Sequence, residues 1–291
     1  MCGILAYITD KEINHIKISK IRDLMTCRGP DNQTYKKKSF GKKKLHLFHS
    51  RLSIQDLNER SNQPYVFNNY ILIFNGEIYN FKQLKTKLNK KFKTSSDTEI
   101  ILHYYNIYKE KCFELFEGMW SIIIYDIKKE KIVVSRDRFG EKPLLFFKKN
   151  NEIILSSQIS YIREILDTNQ KLNSKKINSF LHFGYKSLFK NEETFFNNIN
   201  HVEKSSILTI EKNLKISKKK YWKLKTNKEI EKLSLKDHIS NTKKLLINAI
   251  DLRLISDVPI SLNLSGGIDS GAICSIASKI LGKKLETFSI I

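Results

Sequence analysis

The chain has 291 residues, 41% hydrophobic and 28% charged, with a formal net charge of +22. This describes a globular protein with a sizeable core and about two domains, and it excludes a disordered chain. The charge excess invites a nucleic-acid-binding reading, but the lysines are spread over the whole chain together with an excess of Asn, Ile, Phe and Tyr, the mark of an A+T-rich coding bias.

Nothing approaches the roughly 18 consecutive apolar residues of a membrane-spanning helix. The apolar start at Gly3–Ile8 meets Asp10, Lys11 and Glu12 at once and has no basic lead, so it is not a secretory signal. Cys2, Cys27, Cys112 and Cys274 show no C-x-x-C spacing. A reducing cytoplasm with no disulfide framework and no zinc site is expected. The lysine runs at 36–38, 42–44 and 218–220 are expected in hairpin turns or a linker, where charge is solvated. They lack the aromatic and arginine platform of a single-strand binder, so neither a nucleic-acid nor a membrane partner is expected.

In chain order, 3–8 reads as a buried strand and 13–25 carries helix-like apolar spacing. That helix breaks at Arg28-Gly29-Pro30-Asp31, a turn signal. Strands are expected at 45–49 and 70–74, the second ending at Asn75-Gly76. Amphipathic helices are expected at 81–90 and 98–110, and strands at 120–125, 131–135, 144–147 and 152–156. Around 204–235 the composition turns polar and lysine-rich, with Tyr221-Trp222 as an anchor. We assign a first domain to 2–205, a linker to 206–235 and a second domain to 236–291. The second domain reads as a helix at 236–254, a strand at 259–264, a glycine-rich turn, a helix at 272–281 and a strand at 285–291. That order opens a parallel α/β sheet.

Five strings carry chemistry. Met1-Cys2 allows trimming of the methionine, which would put a free α-amine beside the Cys2 thiol, nucleophile and base in one residue. The bland alternative is a chance cysteine at the start of a strand. Arg51, after the strand at 45–49, is suited to clamp a carboxylate. Asn75-Gly76 pairs a side-chain amide with a backbone N–H, the donors of an oxyanion hole. Asp97 either caps the helix that follows or binds a substrate ammonium. In the second domain, Ser265-Gly266-Gly267-Ile268-Asp269-Ser270 lies between a strand and a helix. Two glycines let successive N–H groups converge on an anion at a helix N-terminus. Asp269 is available to hold Mg2+, and the competing reading is a plain capped turn. No Walker loop is present.

The strings MCGI, RGPD, HSRLSIQDL with NQP, NGEIYN, SSDTEIIL, GMWSIIIYD, SRDRFGEKPLL and SDVPISLNLSGGIDS follow one another along nearly the whole chain. Together they closely resemble the glutamine-hydrolysing asparagine synthetases of the class II glutamine amidotransferase group. The resemblance implies an α+β first domain, a four-layer α-β-β-α sandwich of the N-terminal-nucleophile type, followed by the start of an α/β ATP-pyrophosphatase domain. It implies Cys2 as the nucleophile and Asn75 with Gly76 as the oxyanion hole. Arg51 and Asp97 would hold the carboxylate and ammonium of glutamine, with Leu52, Ile54 and Glu77 lining the pocket. Leu264, Ser265, Gly266, Gly267, Asp269 and Ser270 would bind ATP, with Mg2+. Released ammonia would then convert an adenylylated aspartate to asparagine. A homodimer is compatible with the resemblance.

Departures from the family pattern are Gln158, where a Glu is usual, and the missing Pro-Gly turn at 199–208. The resemblance also implies a synthetase domain running far past Ile291. The expectation is a fragment, or one chain of a split enzyme, that hydrolyses glutamine and does not make asparagine alone. The alternatives are an amidotransferase acting on another carboxylate, as in surface-polysaccharide assembly, and a catalytically silent remnant.

Overall fold

The computed structural model describes residues 1–188, 190–227 and 230–290. The chain divides into two compact units, Met1–Ser53 with Asn58–Lys223, and Ile54–Leu57 with Leu224–Ile291.

In chain order the first unit contains β1 (Gly3–Thr9), α1 (His15–Thr26), β2 (Asn32–Phe40), β3 (Lys43–Arg51), β4 (Tyr65–Phe67), β5 (Tyr70–Ile78), α2 (Phe81–Leu88) and α3 (Thr98–Tyr108). It continues with β6 (Gly118–Asp126), β7 (Lys131–Arg136), β8 (Leu145–Lys149), β9 (Glu152–Ser156), α4 (Ile159–Leu166), α5 (Ser174–Phe183), β10 (Ile199–His201), β11 (Ser206–Glu211) and β12 (Ile216–Lys220). The strands form two six-stranded antiparallel sheets, ordered β10-β8-β9-β1-β3-β2 and β12-β11-β7-β6-β5-β4.

β1 shows why the layers stack as they do. All seven of its residues are buried, so both faces of the strand must be covered. Ile4, Ala6 and Ile8 face the second sheet and pack with Ile71, Ile73, Ile123 and Val134. Leu5 and Tyr7 face the other way, onto Ile21 and Met25 of α1 and Tyr161 and Ile162 of α4. α3 packs on β4 and β5 and buries Ile100, Ile101, Leu102, Tyr104 and Tyr105. The layers are therefore helix, sheet, sheet, helix, as the four-layer expectation has it. Each fully buried Ile or Leu contributes about 1.5–3 kcal/mol.

Three expectations need correction. The lysine runs fall in strands: Lys36–Lys38 in β2, Lys43 and Lys44 in β3, and Lys218–Lys220 in β12. β2 and β12 are edge strands with a wet face, which erases the apolar alternation a strand reading depends on. Several of these lysines are ion-paired, Lys218 and Lys220 with Glu203 at 2.6 and 2.7 Å and Lys43 with Asp10 at 2.7 Å. Second, the linker expected over 206–235 is sheet through Lys220, with β11 paired to β7 along Ile207–Glu211. Tyr221 then anchors the exit, stacked on Trp120 and donating to the Arg136 carbonyl at 3.0 Å. Third, Asn75-Gly76-Glu77 does not end a strand. β5 runs through it to Ile78, paired with β6 from Tyr70↔Asp126 to Ile78↔Gly118.

The second unit holds α6 (Leu235–Arg253), β13 (Ser261–Asn263), α7 (Ile268–Leu281) and β14 (Glu286–Phe288), with β13 and β14 parallel. The last strand was expected to reach 291, but Ile291 lies outside the described residues. Among the described residues no helix is long and apolar enough to cross a membrane.

Asp137 is the polar pin of the second sheet. It is fully buried. Its Oδ1 accepts from the N–H groups of Phe139 and Glu141 at 3.0 and 2.9 Å, and its Oδ2 from those of Trp120 and Lys142 at 3.2 and 3.0 Å. Replacement by Ala leaves four backbone donors, those of Trp120 and Lys142 buried, without that acceptor. Asp137→Ala is expected to lower unfolding free energy by about 3–5 kcal/mol in a denaturant melt, with Asp137→Asn milder.

Candidate active site

Cys2 immediately precedes β1, half-buried. Its Sγ lies 3.5 Å from the Leu52 N–H and 3.8 Å from the Leu52 carbonyl. The Cys2 carbonyl accepts from Arg28 Nε at 2.9 Å. The next residues are tied on both sides, Gly3 N–H to Ser50 Oγ and Ile4 N–H to Ser157 Oγ, each at 3.1 Å. Burial pushes the Cys2 thiol up, and the Leu52 N–H and a nearby terminal amine oppose that. Glu77 and Asp97 are close enough to add to the upward push.

The RGPD turn packs under the end of β3. A side chain at Gly29 would meet the Ser50 carbonyl carbon at 2.3 Å and the Arg51 nitrogen at 2.5 Å, so only glycine lets the turn approach this closely. Asp31 N–H donates to the Arg51 carbonyl at 3.1 Å, and Asp31 Oδ2 accepts from Ser53 N–H at 2.6 Å. The Arg51 guanidinium is buried and oriented. Its Nη1 donates to the Asn58 carbonyl at 2.8 Å and to Asn62 Oδ1 at 2.9 Å.

The oxyanion candidates lie on the edge of β5. β4 pairs with β5 only from Tyr65↔Leu72 to Phe67↔Tyr70, which leaves the β5 edge beyond Leu72 without a paired strand. Alternation along an antiparallel strand turns the N–H groups of Phe74, Gly76 and Ile78 to this vacated side. Phe74 N–H donates to Gln63 Oε1 at 2.6 Å, and Ile78 N–H to Asp97 Oδ2 at 2.8 Å. The Gly76 N–H lies between them. Beside it, Asn75 is buried and its Nδ2 has no hydrogen-bond partner among the described residues. A donor left bare in a core needs an explanation, and a ligand atom supplies one. Gly76 is fixed by close approach as well. A Cβ there would sit 2.1 Å from the Met119 carbonyl oxygen.

Asp97 stands before α3 but makes no side-chain cap to it, so the capping reading is set aside. Burial raises its carboxyl to about 6. Ile54 goes with the second unit, where its carbonyl accepts from Asp257 N–H at 2.9 Å.

Four residues that the sequence reading left without a role are part of this arrangement. His49 joins the two sheets through Nε2 to the Phe74 carbonyl at 3.2 Å, and burial lowers its pKa to about 3. Gln63 and Asn62 hold Phe74 and Arg51. Lys142 is buried within electrostatic reach of Cys2 and Glu77, and burial pushes its ammonium down. All four lie inside the quoted strings, so position in a motif was the only signal.

In the second unit, Leu264 to Gly267 link β13 to α7, and Ser270 lies in the first turn of that helix. Gly266 adopts φ +78°, a left-handed conformation that suits glycine. Ser265 N–H donates to Ser270 Oγ at 3.2 Å, and the two hydroxyls are 3.0 Å apart. The α7 N-terminus has no side-chain cap, and no atom lies within 4 Å of a Cβ added at Gly266 or Gly271. Asp269 occupies the first turn of α7. Among the described residues no group of three or more metal-ligating side chains occurs.

Comparison with known proteins gives two family matches, a glutamine amidotransferase domain over residues 1–222 and asparagine synthase over 241–291. An asparagine synthetase (glutamine-hydrolysing) homologue of Methanocaldococcus jannaschii is 35% identical across 100% of this chain and 59% of its own length. Asparagine synthetase (glutamine-hydrolysing) 2 of Bacillus subtilis is 33% identical across 100% of this chain and 40% of its own. The chain thus spans about half the length of these relatives. A solved structure of the allosteric regulatory enzyme of purine biosynthesis shares the fold at 16% identity, with TM-score 0.57 over 98% of this chain and 65% of that one.

The raised Asp97 carboxyl has a stability consequence. Its folded pKa of about 6 lies above its ordinary 3.8, so its contribution is most favourable below pH ~4 and is lost as pH rises through ~6. Asp97→Asn removes that loss. At pH 7.5 the variant is expected to be more stable than wild type by about 2–3 kcal/mol in a urea melt, with the gain gone at pH 4.

Proposed function

The chain belongs to the glutamine amidotransferase domain family, and from that premise we propose that its first unit hydrolyses the side-chain amide of glutamine with Cys2 as nucleophile. The observation that carries this reading is the unpartnered Asn75 Nδ2 beside the Gly76 N–H, on a strand edge whose flanking donors are already bound.

The mechanism follows from the groups present. Loss of Met1 gives Cys2 an α-amine. Burial holds the thiol protonated, so it needs a base in reach, and that amine takes its proton. The thiolate sulfur bonds to the amide carbon of glutamine while the carbonyl π pair moves to oxygen. Asn75 Nδ2 and Gly76 N–H stabilise that oxyanion. Collapse re-forms the carbonyl and breaks the C–N bond, and the α-ammonium returns its proton to the departing ammonia. Water then attacks the thioester, releasing glutamate and restoring the thiol. Arg51 holds the substrate carboxylate and Asp97 its ammonium, with Leu52 and Glu77 as pocket lining.

For the second unit we propose that Leu264, Ser265, Gly266, Gly267 and Ser270 hold the pyrophosphate of ATP. The open space at Gly266 and the uncapped α7 support an anion cradle. Asp269 offers a single carboxylate to Mg2+, enough for an ion that takes its other ligands from phosphate and water. ATP supplies activation of an acceptor carboxylate, here that of aspartate, which the ammonia amidates.

Three measurements test the first half. Cys2→Ala is expected to abolish glutamate release, and the intact mass of active protein to lack Met1; retained activity in either Cys2→Ala or Met1-bearing protein refutes the mechanism. Asn75→Ala is expected to lower kcat for glutamine by about 10²–10³-fold with KM little changed.

A further inference from the structure

Between α2 and α3 the chain makes a loop that ends in Asp97, and a buried carboxylate outside the reacting groups organises it. Glu99, in the first turn of α3, is 2% exposed. Its Oε1 accepts from Lys93 N–H at 3.1 Å and lies 3.4 Å from His103 Nε2. Its Oε2 accepts from Thr94 N–H at 2.7 Å and Thr94 Oγ1 at 2.9 Å. The same Thr94 hydroxyl is 3.2 Å from Ser96 Oγ. Lys85 Nζ holds the Thr94 carbonyl at 3.0 Å. The His103 ring is packed against Phe67 and Phe92, with centroids 4.1 and 5.1 Å away.

Burial raises the Glu99 carboxyl, and its donors outweigh that and bring it below the usual range. It is therefore an anion that gathers loop amides. Thr94, Ser96 and Asp97 are all nearly buried, so the segment has little room to adjust if the anion is lost. The charge suits the positive end of α3, but a helix-dipole role alone would not need contacts to Lys93 and Thr94.

The geometry points to Glu99 as a positioning residue for glutamine: through Thr94 and Ser96 it fixes the Asp97 carboxylate where the substrate α-ammonium docks, without touching substrate itself. This rests on the reading of Asp97 as the ammonium ligand. Glu99→Gln puts an NH2 among donors, so the loop must shift. The loss then falls on head-group recognition and not on the Cys2 chemistry.

The test is a double-mutant cycle in glutaminase kcat/KM on the full chain, with wild type, Glu99→Gln, Asp97→Asn and the pair. Glu99→Gln is expected to raise KM for glutamine about tenfold with kcat within about twofold, and to add less than about twofold in the Asp97→Asn background. Thr94→Val, which keeps the shape but removes the hydroxyl, is expected to raise KM severalfold, and Thr94→Ser to restore it. The Thr94 pair decides the matter if Glu99→Gln does not fold. Additive losses in the cycle, or a folded Glu99→Gln with unchanged KM, overturn the positioning role while leaving Asp97 intact. An unchanged KM in Asp97→Asn removes the ammonium ligand itself, and this inference with it.

Discussion

The chemistry of the first unit depends on an early end to one short strand. β4 covers β5 only up to Leu72, and opposite Phe74 it is the side chain of Gln63, not a β4 carbonyl, that accepts the strand N–H. Three strand N–H groups are thereby released along one edge. Gln63 supplies a side-chain acceptor to the first and Asp97 to the third. The middle one, at Gly76, is left facing the site. His49 then fixes the register between the sheets by holding the Phe74 carbonyl. β3, which ends in Arg51, and β5, which carries Asn75, are tied together two residues before the first ends.

Satisfied and unsatisfied polar groups divide this unit into scaffold and site. Asp137 accepts four backbone donors. Glu152 accepts from the Tyr7 hydroxyl at 2.6 Å and Thr9 Oγ1 at 3.0 Å and pairs with Lys11, and its carboxyl is lowered despite burial. Glu99 behaves in the same way. Such carboxylates belong to the fold, because their charge is already compensated. Asp97 shows the opposite, a buried carboxyl pushed up, and Asn75 Nδ2 a buried donor left bare. Uncompensated polar groups cost stability and persist where a ligand completes them. At the proposed site that contrast asks for a cation at one place and an oxygen at another.

What could be read from the residues alone follows from the range of the interaction. The Cys2 string and the glycine turn before α7 are local patterns; the structure finds β1 where it was expected, while α7 begins at Ile268, four residues before the expected start at 272, within the string read as a turn. Asn75-Gly76 was misread as a strand end because Asn-Gly is a strong turn signal. Only pairing with Ser121 and Trp120 of β6 keeps it extended. The Lys-rich segments failed for a different reason. An edge strand with one wet face, such as β12, carries no apolar alternation to detect. Asn62, Gln63, His49 and Lys142 acquire their roles across gaps in sequence that close only on folding. Gln63, for instance, reaches Phe74 only once β4 and β5 are paired.

The unusual composition bears on the same division. With 52 Lys and Arg against 30 Asp and Glu, the chain is strongly basic, which the fold tolerates because exposed charge is weakly coupled to stability. Gly29 and Gly76 do not have that freedom. An added methyl at either would overlap backbone atoms at 2.3 and 2.1 Å. Neither overlap is relieved by turning a side chain, because the obstacle is main chain in β3 or β6. A substitution there must move the end of β3 that carries Arg51, or the edge of β5 that carries Asn75. The constraint on these glycines is thus steric in origin and functional in effect. A chain can exchange much of its surface for lysine and keep this site, whereas one methylene added beneath it displaces a group proposed to meet the substrate.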